Sequence, residues 1–221
     1  MKPTSVKLIK LSLACLLLTC VLDKTTYASP ADLLYYDAVR EFSGEANPNG
    51  VWKYGWTEDL TGAFVLYTRS SVPSINNGLE LGWDDPANSS GFTPSVAINT
   101  GGDFDDGNVT FAAGALILHP CGVDGHAYSH VVWTSPRNGS YFVTSTFIAQ
   151  QYNVDVDVNI RVNGTSVFAS TLTHIDQYRW FSGVFRVRAG QQIDFAVGPN
   201  GSFFLHPGNT GFQATILPIG R

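Results

Sequence analysis

Three sets of side chains in this 221-residue chain could do chemistry. Asp103-Phe104-Asp105-Asp106-Gly107-Asn108 is a tight acidic turn. Calcium takes about six to eight oxygen ligands from carboxylates and carbonyls, so Asp103, Asp105 and Asp106 are candidate ligands for Ca2+. Their spacing is not that of an EF-hand, and an ordinary Asp-Gly turn uses the same letters. His119, Cys121, His126 and His130 fall close together and could bind zinc, although no recognised zinc spacing is present. The third set is aromatic: five tryptophans and nine tyrosines. Aromatic faces are the surfaces on which sugar rings stack, and they exclude water beside a few polar groups. Trp52, Trp56 and Trp133 lie within strand patterns and are expected in the core. Trp83, in Gly82-Trp83-Asp84-Asp85, is the leading candidate for an exposed platform, followed by Tyr178 and Trp180. The expected ligand is a glycan or polysaccharide.

Catalytic signatures are missing. The chain has no Gly-X-Ser-X-Gly elbow, no His-Glu-X-X-His and no phosphate loop. A glycosidase needs two facing carboxyls, but Glu41, Glu45, Glu58 and Glu80 all lie in the first part of the chain. Asp155 and Asp157 share the polar side of a strand, where solvated carboxylates are the ordinary outcome. The pattern favours a binding module over an enzyme. An extracellular structural or surface-interaction protein and a secreted polysaccharide hydrolase are the alternatives.

The elements that must hold these residues are strands. Val154, Val156, Val158, Ile160 and Val162 alternate with Asp155, Asp157, Asn159 and Arg161, which puts one face in a core and one in water. Asn163-Gly164 then turns the chain in the manner of a type I′ hairpin, and Thr165 to Phe168 starts the return. Further strands are expected at 51–56, 64–67, 92–98, 109–118, 130–134, 141–149, 180–187, 192–197, 203–205 and 212–217. Only 30–42 reads as helical or as an irregular lead-in, and 70–106 reads as long loops. Many short, regularly punctuated strands indicate an all-β antiparallel sandwich of jelly-roll-like form.

Residues 1–28 have the layout of a secretory signal peptide. Lys2, Lys7 and Lys10 precede an apolar run from Leu11 to Leu22, and Ala28 supplies a small residue before Ser29-Pro30. That run is short for a permanent membrane span. A lipoprotein cut before Cys20 is the alternative, although Thr19 suits it poorly. A single domain over 29–221 is expected, secreted or retained in the periplasm or at the cell surface. The formal charge is −5; a leader with four lysines and one aspartate leaves the mature part near −8. So acidic a chain argues against nucleic acid and anionic membrane as partners. Cys121 alone would remain, so the core must hold the fold without a disulfide. Asn88, Asn108, Asn138, Asn163 and Asn200 each head an Asn-X-Ser/Thr triplet; in a eukaryote these would be glycan acceptors, and the preferred reading is that of inter-strand turns in a bacterial protein.

Phe42-Ser43, Asn47-Pro48-Asn49-Gly50-Val51-Trp52 and Tyr54-Gly55-Trp56 together resemble the opening of a β-sandwich module found in secreted bacterial proteins of the PEP-CTERM-associated type. Leu118-His119-Pro120 before Val131 to Pro136, Val154 to Phe168, and Val187 to Gly198 resemble the same family in the same order. The resemblance implies the sandwich fold across nearly all of the expected mature chain. It departs at Cys121, where the family has glycine, at the loop 122–129, and in lacking the sorting tail, so anchoring by that tail is not expected.

Overall fold

Alternation sets the layers. Val154, Val156, Val158 and Ile160 are all buried, while Asp155, Asp157 and Arg161 stand on the other side. The structure, a computed structural model, describes residues 35–71, 80–85, 94–120, 126–201 and 208–220. All of these fall within the unit Leu34–Arg221. The expected leader, Cys121 and the 203–205 strand lie outside the described residues.

In chain order the strands are β1 (Tyr36–Asp37), β2 (Trp52–Thr57), β3 (Val65–Leu66), β4 (Arg69–Ser71), β5 (Glu80–Asp84), β6 (Ser95–Asn99), β7 (Phe104–Asp105) and β8 (Thr110–Phe111). There follow β9 (Leu116–His119), β10 (Tyr128–Thr134), β11 (Gly139–Ala149), β12 (Val156–Val162), β13 (Thr165–Leu172), β14 (Tyr178–Val187), β15 (Gln192–Gly198) and β16 (Thr210–Ile219). One sheet runs β14-β11-β16-β9-β6-β5-β4, with β1 on β16; the other runs β13-β12-β15-β10-β2-β3, and β7 pairs β8. The pairings of both sheets are antiparallel. The all-β antiparallel sandwich is therefore the fold observed.

Between the sheets the inward rows meet ring to ring. Trp133 of β10 packs edge-on against Tyr141 of β11 at 4.9 Å, and Phe195 of β15 meets Phe212 of β16 at 5.1 Å. All four rings are essentially buried. The expected hairpin turn is present: Asn163 and Gly164 have φ of 50° and 80°, the left-handed pair that a type I′ turn demands.

Three expectations are narrowed or changed. Of the two readings of 30–42, the described part, 35–42, follows the irregular lead-in and not the helix: Asp37 takes the N–H groups of Val39 and Arg40 on its carboxylate, which starts a turn directly after the short β1. The single strand expected over 109–118 is two strands, broken where Gly114 adopts φ 72°. The stretch read as long loops holds, besides β6 at the strand expected over 92–98, the unexpected β5, paired with β6 from Glu80↔Asn99 to Asp84↔Ser95. There Gly82 lies against Ala97, a close approach that a side chain would block.

Candidate ligand-binding face

The outer face of the first sheet is built by β11 and β14, paired over ten residues from Gly139↔Val187 to Ile148↔Tyr178. On β14, Phe181 and Phe185 point inward and stack nearly parallel at 6.1 Å. Gly183 stands between them, where a Cβ would approach both rings to about 3 Å. Phe181 also meets Phe168 of β13 at 5.4 Å, and Arg179 donates from Nε to Ser170 Oγ at 2.7 Å, so the two sheet edges are fastened together. With the inner row fixed, period-two geometry sends Tyr178, Trp180, Ser182, Val184 and Arg186 outward.

Tyr178 is 65% exposed and Trp180 60% exposed. Val184, at 58%, and Phe142 of β11, at 37%, extend the surface as cross-strand partners. Thr144 and Thr146 of β11 and Gln213 and Thr215 of β16 add hydroxyl and amide groups on the same side. Among the described residues, neither the Tyr178 hydroxyl nor the Trp180 indole N–H has a protein partner. The result is a rigid, broad platform with aromatic rings at one end.

Trp83 does not belong to it. The structure places Trp83 inside β5, opposite Val96 and Ser70, only 7% exposed, with its indole N–H donating to the Ser43 carbonyl at 2.6 Å. Its flanking Gly and Asp residues suggest a loop, but both neighbouring strands cover it. Of the three aromatic candidates, Tyr178 and Trp180 come together and Trp83 is a core residue. Phe142 and Val184 were missed. Their signal was present in the alternation with Tyr141, Val143 and Phe185, which leaves apolar side chains on the face opposite the core.

The acidic turn is occupied by its own backbone. Asp105 accepts from Gly107 N, Asp106 from Asn108 N and Val109 N, and Asp103 from Ala113 N. The Val109 and Asn108 amides hold the Asp106 carboxyl below the ordinary aspartate range. Among the described residues, no three His, Cys, Asp or Glu side chains are grouped for a metal ion.

A hydroxyl–imidazole–carboxylate series, scattered in sequence, lies on the second sheet. His130 Nδ1 is 2.8 Å from Asp194 Oδ1 and its Nε2 is 2.9 Å from Thr57 Oγ1. Such a series resembles a nucleophilic relay, but Thr57 donates its hydroxyl proton to the Asp59 carbonyl. Both Thr57 and His130 are buried, and Phe64 lies edge-on to the imidazole at 6.0 Å. Thr57, His130 and Asp194 line a cleft of about 370 Å3, and with its proton held by the Asp59 carbonyl the Thr57 hydroxyl fastens the loop after β2 onto β10.

The segment that carries the family resemblance is likewise architectural. Asn47 receives the Tyr54 N–H and donates to the Tyr54 and Tyr67 carbonyls. Asn49 donates to the Glu41 carbonyl, and the Trp52 indole donates to the Glu41 carboxylate.

By sequence, no protein family and no curated protein matches the chain. Among solved structures it is similar to CBM51 from Clostridium perfringens GH95 in complex with methyl-galactose, at 12% identity and TM-score 0.41, covering 83% of this chain and 99% of that one. It is also similar to a family 35 carbohydrate binding module from Clostridium thermocellum, at 14% identity and TM-score 0.31, covering 51% and 83%. A third similarity is to rabbit GITRL, at 17% identity and TM-score 0.28, covering 42% and 73%. Among the described residues no helix is long and apolar enough to cross a membrane.

Proposed function

We propose that the protein is an exported, non-catalytic binding module that takes a glycan or polysaccharide on the outer face of β11 and β14. The observation that carries this reading is the pair Tyr178 and Trp180, both more than half exposed on one strand. Residues two apart on a strand stand about 7 Å apart on the same face, so one extended chain of sugar rings can lie across both. Their backbone is fixed by ten paired positions, so stacking on them orders few rotatable bonds. Export is supported by the basic, apolar and small-residue order of residues 2–30.

Retention on insoluble polysaccharides, measured for the wild type, Trp180→Ala and Tyr178→Ala, tests the reading. Affinity falls about tenfold in each variant, because loss of an aromatic stack is worth on the order of 1–1.5 kcal/mol. Equal retention of all three proteins overturns it. One observation favours a second reading, that of a surface-interaction protein: Val184 and Phe142 prolong the exposed surface without polar groups of their own. Self-association that Val184→Lys abolishes, without affinity for any polysaccharide, would establish that alternative.

A further inference from the structure

At the end of the sandwich where β11 begins, a cleft of about 1210 Å3 opens between three turns. It exceeds the roughly 300–1,000 Å3 of ordinary small-molecule pockets and suits a length of polymer chain. Arg137, Arg186 and Arg188 line it, and among the described residues no aspartate or glutamate does. Four of the seven described arginines are held by protein acceptors. Arg40 pairs with Glu41, Arg69 with Asp84, Arg161 reaches the Leu60 and Gly164 carbonyls, and Arg179 reaches Ser170. The three whose guanidinium groups have no protein acceptor among the described residues are the three in this cleft.

The amides beside them point the same way. Asn138 Oδ1 accepts from Ala189 N, Asn163 Oδ1 from Gln192 N, and Gln191 Oε1 from Arg188 N. Each oxygen is engaged by a backbone donor, so each NH2 group, which can only donate, is turned away from that contact. Among the described residues none of these NH2 groups has a protein acceptor. Backbone hydrogen bonds Gly190 N to Ser135 O, Ser135 N to Gln191 O and Asn163 N to Gln192 O tie the three turns together. The floor is thus preset, and it presents donors in a protein that is acidic overall.

We propose that this cleft binds the anionic groups, carboxylate or sulfate, of an acidic polysaccharide whose chain continues onto the β14 platform. The continuity is structural: Arg186 shares the outward row of Val184, Trp180 and Tyr178, and pairs with Ser140 at the start of β11. Bidentate guanidinium contacts suit both oxyanions. The inference rests on the proposed glycan reading and narrows its ligand class.

The test is affinity electrophoresis and titration of the full chain with polygalacturonate and its fully methyl-esterified form, and with dextran sulfate and dextran. Each anionic polymer binds at least tenfold more tightly than its neutral counterpart, and the affinity falls on raising salt from 50 to about 300 mM, as screening requires. The two pairs separate carboxylate from sulfate as the source of charge. Arg186→Gln with Arg188→Gln, which removes no intramolecular partner, loses tenfold or more on the anionic polymers and leaves the unfolding midpoint in place. Neutral polymers binding as well as anionic ones, with the double variant unchanged, overturn the anionic cleft and leave the glycan reading standing. No binding to any polymer overturns both. Equal affinity for a DNA oligonucleotide overturns the cleft as a sugar site.

Discussion

The outer faces of the two sheets share a scaffold and differ in how their side chains are satisfied. On the second sheet, Tyr128 donates to Asp157, Asn159 donates to Asp157, and Asn200 donates to Asp155. Thr57, His130 and Asp194 are likewise joined to one another. On the first sheet, Tyr178, Trp180 and Val184 face solvent, and the arginines at its end have no protein acceptor among the described residues. Polar groups that complete one another stabilise a fold, and a ligand would have to displace those bonds. Exposed rings on a stiff strand and donors without acceptors gain interactions when a ligand arrives. The difference assigns structure to one face and recognition to the other.

The comparison breaks first at His130. His130→Ala leaves Asp194 and Thr57 without their shared partner and opens a cavity beneath Phe64, so unfolding free energy falls by about 3–4 kcal/mol in denaturant titration. Polysaccharide affinity at permissive temperature is unchanged. A loss of affinity without a loss of stability would move recognition to the second sheet.

Next comes pH. Burial pushes the His119 imidazole down to about 4 from an ordinary 6.5. The unfolded chain therefore takes up a proton between those values while the folded chain does not. The contribution is present above pH 6.5 and is lost as pH falls toward 4. Denaturant midpoints at pH 7 and 5 should differ by about 2 kcal/mol from this group, and His119→Gln should flatten that slope.

Trp180→Ala has the opposite signature to His130→Ala. Stability stays within about 0.5 kcal/mol, as for exposed sites generally, while affinity falls tenfold. Asp157→Ala gives the smallest change, about 1 kcal/mol of stability from lost hydrogen bonds, with no change in binding. Any weakening of polysaccharide affinity by Asp157→Ala would blur the two faces.

Most of the fold was legible because alternation is a local signal. Val154 to Ile160, Tyr141 to Phe147 and Ile193 to Val197 declare their inner faces without knowledge of partners. Trp83 was misread because Gly82 and Asp84 look like loop residues. Gly82 is there because Ala97 packs against its backbone, and Asp84 because it pairs bidentately with Arg69, both long-range facts. Tyr178 and Trp180 were found by type and spacing. The arginine cleft was not, since its residues come from three separate turns and the net acidity of the chain hides a local basic cluster.

The central claim is that ligand meets the β11–β14 face. Backbone amide shifts of the isotope-labelled protein, followed while adding soluble fragments of a polysaccharide that retains it, test this most directly. The account predicts movement confined to Phe142, Thr144, Thr146 and residues 178–188, with the Trp180 indole N–H moving most. Movement centred on Tyr128, Asp157 and Asn200, with Trp180 still, would contradict it.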